Sequence, residues 1–308
     1  MAIESIFDAR RTAWDGLGTS VSAAPTSEDA IRLAGLDWSV IQQKLYTQEG
    51  LLVSGNYANI RDTDRSVLGV VGAKYQIVQN IDAFKFTDAL LGEGVQYETA
   101  GSLNGGKTVW MLARMPQKYK ILGDEVTPYI VFTNTHDGSG SVKVAMTPIR
   151  VVCQNTLNLA LKRAKRTWTT RHTAGIEYKM NEALETLEFS KKYMEAVNDT
   201  FEELYKVKLT DFTVRSMINN IVPVSEDMGK TQKENNEKIR DDILWRFKEA
   251  PDLRELEYTG ARLIQAVSDT ASHIEPFRKT TNYAENRFRK AIEGNDLLNR
   301  ALDVVKAG

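Results

Sequence analysis

The chain has 308 residues, 42% of them hydrophobic and 26% charged, with a formal net charge of −1, which is an ordinary composition for a globular protein. This charge balance excludes a uniformly basic protein, so any contact with nucleic acid must come from a local patch. The single cysteine, Cys153, excludes a disulfide within the chain and favours the cytosol. We find no signal segment and no apolar run near the roughly 18 residues of a membrane span, so we expect a cytoplasmic protein without a membrane partner.

Short helices and short strands are predicted over the first ninety residues. Apolar runs are separated there by glycine, asparagine and proline, after an irregular arm over residues 1–30. The expected order is a helix over 29–34, a strand or alternatively a helix over 38–46, strands over 51–53, 57–61, 67–71 and 75–78, and a helix over 82–91 that Gly92 ends.

Two β-hairpins follow, each with glycines in its loop. Their strands cover 95–103 and 107–115 around residues 104–106, and 129–134 and 141–146 around residues 136–140. In the second loop Asp137-Gly138 supplies a positive φ, and Pro148 places the returning strand at an edge or a strand end. We therefore predict an α+β fold, in which helices flank an antiparallel β-sheet built of hairpins.

A basic segment that contains a tryptophan follows the second hairpin. Leu157, Leu161 and Ala164 fall on one helical face, so we predict a helix that starts near residue 154 and runs into this segment. Cations can neutralise phosphates and an indole can stack on a base, which predicts a nucleic-acid site. The predicted site comprises Lys162, Arg163, Lys165, Arg166, Trp168 and Arg171, extended by Lys143 and Arg150 if these share a sheet face. The alternative is a solvated helix end, whose cations suit the helix dipole.

From residue 178 onwards the apolar residues recur with a helical period. The predicted helices cover about 178–205, 210–221, 239–250 after a polar stretch over 230–238, 256–273, 285–293 and 295–307. We therefore predict two domains, an α+β core domain with the antiparallel sheet over residues 1–175 and a helical domain over residues 176–308.

Three motifs suggest chemistry, and each has a simpler interpretation. Gly101–Thr108 matches the phosphate-loop pattern GxxxxGK[ST], but a strand instead of a helix is predicted after it, so we interpret it as a turn. His136-Asp137 is either a metal or acid–base pair or, as we favour, a polar hairpin tip. Cys153 is interpreted as a buried small residue rather than an activated thiol. We expect no catalytic, metal-binding or cofactor-binding residue, with an enzyme site at Lys107 or His136 as the alternative.

Three segments of the chain resemble one protein family. Residues 68–116 (LGVVGAKYQIVQN onwards), 132–161 and 256–294 are similar to the phage/plasmid-like protein family known as domain of unknown function 932. One position departs from the family pattern, because Ala261 follows Gly260 where a Trp or Tyr is typical. The resemblance implies a genomic setting of phages and plasmids, and hence a bacterial host cell, but it supplies no catalytic residues.

The order of elements has a looser similarity to another group. Helix, antiparallel hairpins, helix and basic segment resemble the layout of phage single-strand annealing proteins of the Redβ/RecT type, which form rings or filaments without a nucleotide. By this analogy we expect a homo-oligomeric, ATP-independent protein, not an enzyme, that binds and anneals single-stranded DNA in recombination. The alternative is a protein-interaction module, such as an inhibitor of host defence, that works through the helical half.

Overall fold

Most of the described strands lie in the first half of the chain and most of the described helices in the second. The computed structural model describes residues 18–24, 26–85, 87–88, 94–150, 155–159, 161, 166–173, 186–275, 282–283, 286, 288–290 and 294–308. Within them the sheets are antiparallel and the C-terminal part is helical, so the predicted α+β class is confirmed. The boundary predicted near residue 175 lies in 174–185, outside the described residues.

The described strands form two separate sheets. They are β1 (Thr19–Ser20), β2 (Val40–Tyr46), β3 (Leu52–Arg61), β4 (Val67–Gly72), β5 (Gln96–Leu103), β6 (Thr108–Arg114), β7 (Tyr119–Ile121), β8 (Asp124–Thr135), β9 (Val142–Arg150), β10 (Asn155–Thr156) and β11 (Thr167–Thr170). The large sheet has the order β1-β5-β6-β8-β9-β10, with β7 on β8 and β11 on β9, and the small sheet has the order β2-β3-β4. Both predicted hairpins, β5–β6 and β8–β9, are confirmed.

The small sheet lies against the loop that joins β8 to β9. A Cβ atom on Gly69 of β4 would stand 2.4 Å from the Cα atom of Asp137, so this position has room only for glycine. The Asn59 side chain of β3 donates a hydrogen bond of 2.7 Å to the carbonyl oxygen of His136. The small sheet therefore covers one end of the large sheet, where the hairpin loops are.

The segment that matches the phosphate-loop pattern is a turn, as we interpreted it. Gly105 and Gly106 have φ of 68° and 93°, values that favour glycine, and Thr108 begins β6 instead of a helix. The Arg61 guanidinium of β3 donates to the carbonyl oxygen of Gly105. This turn is thus the second hairpin loop that the small sheet contacts.

The described helices belong mainly to the second half of the chain. They are α1 (Ser27–Leu33), α2 (Asn80–Lys85), α3 (Thr186–Lys206), α4 (Asp211–Ile221), α5 (Lys230–Glu249), α6 (Gly260–His273) and α7 (Asp296–Ala307). Thr210 caps α4 in a capping box with Thr213, and the Thr259 hydroxyl caps α6. Helix α6 is the centre of the helical part, because each of its residues from Gly260 to Thr270 is buried.

Alternate residues of the large sheet enter different apolar clusters. On β6, Val109 and Met111 pack with the N-terminal helices and strands, whereas Trp110 and Leu112 pack on the opposite face near Phe288. The Trp110 and Phe288 rings are 4.4 Å apart. Further along the sheet, strand residues including Ile121, Val126 and Met146 share a core with the C-terminal helices.

The helix predicted from residue 154 to 164 is wrong where the structure describes it. Residues 155–156 form β10, residues 157–159 are irregular, and Thr167–Thr170 form β11. Leu157 and Leu159 are both buried, and the Tyr193 hydroxyl donates to their carbonyl oxygens at 3.3 and 2.8 Å. A side chain from α3 thus satisfies the buried backbone that a helix would have satisfied itself.

Smaller differences concern the limits of the predicted elements. The segment 38–46, predicted as a strand or alternatively a helix, contains the strand β2. The two short strands predicted between 51 and 61 are one strand, β3. Residues 75–78 are not a strand. The polar stretch 230–238 is the first half of α5. Helix α2 starts at Asn80, two residues before the predicted start, and residues 86 and 89–91 of the predicted helix lie outside the described part.

Candidate nucleic-acid interface

Strand β11 contains Trp168 of the predicted basic site and is flanked by Arg166 and Arg171. It pairs with the outer side of β9 in antiparallel register, with Trp168 opposite Val144 and Thr169 opposite Lys143. This register brings Lys143 of β9 next to β11. The interface candidate is therefore a strand at the border of the large sheet, and not the end of a helix.

The residues of β11 alternate between solvent and core. Thr167 and Thr169 are exposed, whereas Trp168 is half-buried and Thr170 is buried. The Trp168 ring packs against the apolar cluster that includes Val142 and Val144. Much of this ring is thus a core contact, which leaves less of it for stacking on a base.

Arg166 is engaged within the protein. Its Nη1 donates 3.0 Å to the carbonyl oxygen of Met146, and its own carbonyl accepts from the Met146 amide at 2.8 Å. A Cβ atom placed on Gly294 would stand 3.2 Å from the Arg166 Nη2 atom. Burial raises the pKa of Tyr193, and the charge of Arg166 opposes that rise. Arg166 therefore joins β9 to the C-terminal part.

The remaining predicted cations have different positions. Arg171 is exposed and follows β11 directly, while Lys143 is half-buried. Arg150 is the last residue of β9, seven positions and roughly 23 Å from Lys143 at the usual rise of a strand, so these two residues do not form one patch. Lys162, Arg163 and Lys165 lie outside the described residues, as does Cys153.

His136 is fully buried, which the sequence analysis missed. Its Nε2 donates a hydrogen bond of 2.8 Å to the Oδ1 atom of Asn80. The edge of its ring faces the Trp38 ring, and the two ring centroids are 5.4 Å apart. Burial, with a smaller contribution from His172, lowers the pKa of His136 to about 4. The imidazole is therefore neutral at pH 7, and it connects the β8–β9 loop to the segments before β2 and at the start of α2.

His172 makes a second link to the segment before α2. Its ring stacks on Tyr75 at 4.7 Å, and its Nδ1 donates 3.1 Å to the carbonyl oxygen of Gln76. Burial lowers its pKa. The Tyr75 hydroxyl in turn donates 2.8 Å to the carbonyl oxygen of Thr135. We call the contacts of Asn59, Tyr75, Asn80, His136 and His172 between the two sheets the polar seam.

The polar seam does not provide an acid–base pair. Asp137 accepts hydrogen bonds from the amide and the hydroxyl of Ser139, at 2.9 and 2.7 Å, and so closes its own turn. His136 and Asp137 therefore serve different contacts. Three buried side-chain atoms of the described polar seam have no hydrogen-bond partner: Asn59 Oδ1, His136 Nδ1 and His172 Nε2. The Oδ1 atom of Asn134 on β8 is in the same situation.

A second buried polar cluster lies among the helices. Arg246 of α5 contacts Asp242 at 2.6 Å and Asp269 of α6 at 2.5 Å, and Arg246 and Asp269 are both buried. His273 lies 3.8 Å from Asp269. We call these residues the ion cluster. Arg246 comes four residues after Asp242, so these two side chains face each other only when a helix forms.

Two searches of the described residues concern metals and membranes. No group of three or more His, Cys, Asp and Glu side chains in the described part could hold a metal ion. None of the helices found there has both the length and the apolar character needed to cross a membrane.

Comparison with known proteins gives one match. The model of a family described as a domain of unknown function (DUF932) matches residues 67–292, which is more than half of the chain. No curated protein and no solved structure shows significant similarity to the chain.

Proposed function

The chain belongs to the family with domain of unknown function 932, and from this premise we propose that it binds single-stranded DNA and anneals complementary strands. The protein would be encoded by a phage or plasmid and would act in the cytoplasm of the bacterial host during recombination. Annealing of this kind uses neither ATP nor a catalytic residue. The proposal concerns the border of the large sheet at β11.

The register of β11 on β9 carries this proposal. It puts Lys143 opposite Thr169, with exposed Arg171 two residues further along the chain. In the sequence, Lys162, Arg163 and Lys165 come directly before Arg166 and β11. Cations that precede and follow β11 in the sequence suit a phosphate backbone, because each contact releases condensed counterions.

The same region favours binding without base readout. The exposed side chains of β11 are threonines, whereas direct readout uses arginine or amide side chains that pair with base edges. Binding would therefore depend on charge and tolerate any sequence, as annealing of arbitrary strands requires. Because one patch offers few contacts, we propose that copies of the chain assemble into a ring or a filament along the DNA.

Fluorescence anisotropy of a labelled oligothymidine across a salt series tests the proposal. We expect the affinity to fall as salt rises. A triple variant with alanine at Lys162, Arg163 and Lys165 should flatten the plot of log affinity against log salt by about two, since each single-strand contact releases about 0.7 counterion. The variant spares Arg166, whose guanidinium binds the carbonyl oxygen of Met146.

The matched control removes the same charge elsewhere. Lys191, Lys192 and Lys206 are exposed residues of α3, and replacing them with alanine should leave the salt slope unchanged. An equal loss of slope in both variants would mean that net charge, and not the border at β11, determines binding. Annealing of two complementary labelled strands without ATP then separates an annealing protein from one that only binds.

A second candidate function is a protein-interaction module. On β4, Val67 and Val70 are 58% and 54% exposed, and the strand contains no charged residue although it is at the edge of the small sheet. Edge strands of soluble proteins usually carry charges that prevent pairing with other chains. This observation favours interaction through the small sheet instead of the helical half that the sequence analysis suggested.

Light scattering with and without the oligonucleotide separates the two candidates. We expect Val70→Lys to leave DNA binding intact. If the protein shows no salt-dependent binding to single strands and Val70→Lys abolishes its association with itself or a partner, the interaction module becomes the better assignment.

A further inference from the structure

Two clefts of similar size open on different parts of the described surface. One, of about 390 Å³, lies where β5, β6, β8 and β9 end together, and the other, of about 360 Å³, lies between α4 and α5. Both volumes are in the range of small-molecule sites. Their charges differ, and this difference indicates which of them suits a ligand.

The cleft between the helices has balanced charges. Arg215 and Arg240 line it together with Glu237 and Asp241. The Arg240 guanidinium also donates 2.6 Å to the carbonyl oxygen of Val222. Formal charge thus cancels in this cleft, and one of its two cations already binds backbone, so the cleft offers no net attraction for an ion.

The cleft on the large sheet has one positive charge in excess. Lys118 and Glu125 form an ion pair of 2.8 Å there and cancel each other. Arg114 donates one hydrogen bond of 2.7 Å to the neutral side chain of Gln96. That bond orients the guanidinium plane, while most of the five N–H donors of an arginine stay available.

The rest of this cleft is suited to a flat apolar group. Arg114 pairs in register with Tyr129 on the neighbouring strand, so the two residues lie side by side on the sheet. Met115, Pro116 and Ile149 add apolar surface around them, and Thr127 is a polar neighbour. An oriented guanidinium beside an aromatic ring favours a planar ligand with an anionic group.

We propose that this cleft binds a small organic anion that carries a flat ring. Its phosphate or carboxylate group accepts hydrogen bonds from Arg114, and its ring lies against Tyr129 and Pro116. A nucleoside monophosphate and an aromatic carboxylate share this chemistry. The site is separate from β11, so its existence does not depend on the binding of single-stranded DNA.

Isothermal titration calorimetry on the full chain tests the site with three probes. Thymidine 5′-monophosphate and benzoate represent the two anionic groups, and thymidine has the ring without the charge. We expect one anion or both to bind with a stoichiometry of one, and the result identifies the class of ligand. Thymidine should bind at least about tenfold more weakly than its monophosphate, because it lacks the anionic group that accepts hydrogen bonds from Arg114. Failure of both anions to bind at millimolar concentration would refute the proposal, as would equal affinity for thymidine and its monophosphate.

Variants then locate the site. Arg114→Ala should weaken anion binding about tenfold or more, and Arg114→Lys should weaken it less, because lysine keeps the charge but not the fork. Arg215→Ala, in the balanced cleft, is the matched control and should bind normally. Undiminished binding by Arg114→Ala, or loss in the Arg215→Ala control, would contradict the assignment. Because the Arg114 side chain is exposed, the Arg114→Ala variant should fold. If it does not fold, the affinity of Arg114→Lys for the anion tests the site instead.

Discussion

The polar seam and the ion cluster both bury polar groups, but they satisfy them in different ways. The ion cluster holds full charges that face each other, with Arg246 between Asp242 and Asp269. The seam holds neutral amides and imidazoles, and buried atoms such as His136 Nδ1 have no partner in the described residues. The helical part is therefore sensitive to the removal of a charge, whereas the junction of the two sheets is sensitive to the addition of one.

Removing one charge from the ion cluster should give the largest effect. Arg246→Met leaves Asp269, which is 1% exposed, without its cation, and we expect a loss of about 3–5 kcal/mol in the free energy of unfolding. Urea denaturation measures it. The double variant Arg246→Met/Asp269→Asn should recover part of the loss, since the only carboxylate of the ion cluster then left without Arg246 is that of Asp242, which is partly exposed.

An exposed ion pair is the matched control for this prediction. Lys208 and Glu257 contact each other at 2.7 Å on the surface, and Lys208→Met should change stability much less because the Glu257 charge that remains is solvated. Similar losses for Arg246→Met and Lys208→Met would contradict the contrast between buried and exposed pairs.

Adding a charge to the seam should have the next largest effect. Burial lowers the pKa of His136 from 6.5 to about 4, so between these values the unfolded chain binds a proton that the folded chain does not. The stability contributed by neutral His136 is full above pH 6.5 and is lost as pH falls towards 4, by about 3 kcal/mol in total.

Urea denaturation at a series of pH values measures this dependence. His136→Gln keeps an N–H donor for Asn80 but cannot titrate, so its stability should fall less steeply over the same range. Asp137, which opposes the lowering of the pKa, and His172, which adds to it, are retained in both proteins. Identical slopes for the two proteins would mean that His136 is not the titrating group.

The closeness of the two sheets predicts a smaller effect at one glycine. The Cβ atom of Gly69→Ala would meet the backbone of Asp137 at 2.4 Å, and the forced shift should cost about 1–3 kcal/mol. Gly72→Ala in the same strand is the control, because no atom lies within 4 Å of its Cβ position. Equal melting temperatures for the two variants would show that the sheets are not in close contact.

The smallest effect is expected at Lys107, beside the seam. Its side chain is exposed, and its contact with His136 uses the backbone carbonyl, which accepts from the His136 amide at 2.8 Å. Lys107→Ala should therefore leave melting temperature and DNA binding almost unchanged. Tight ATP binding by the natural protein that is lost in this variant would instead support a phosphate loop.

The hairpins were predictable because their signals are local. Alternating polarity and glycine-containing loops define β5–β6 and β8–β9 within about twenty residues each. The turn at Gly105-Gly106 was predictable for the same reason. Each of these features depends on the backbone preferences of adjacent residues, which a single sequence displays directly.

The helix predicted before β11 failed because a distant residue determines that segment. Leu157 and Leu161 have helical spacing, but Leu157 and Leu159 are the residues whose carbonyl groups bind Tyr193, more than thirty positions away. For β11 itself, Thr167, Thr169 and Trp168 have good strand propensity, a signal that the neighbouring cations obscured.

The candidate site was predictable in composition but not in geometry. The cations and Trp168 are visible in the sequence, whereas the internal bond of Arg166 to Met146 depends on strand pairing. Likewise, His136 is buried by contacts with Asn80 and Asn59, which are 56 and 77 residues away. Contacts over such separations follow from the tertiary fold and have no local signature.

His172 connects the strand that we assign to DNA with the junction of the two sheets. His172 lies two residues after the end of β11. Its backbone carbonyl accepts a hydrogen bond of 3.0 Å from the amide of Gln76, and its ring donates one to the Gln76 carbonyl. Opening of β11 and detachment of the small sheet are thereby linked equilibria. A ligand that binds only to paired β11 adds its binding free energy to the closed state of both, and amide hydrogens of β3 and β4 would exchange more slowly in its presence.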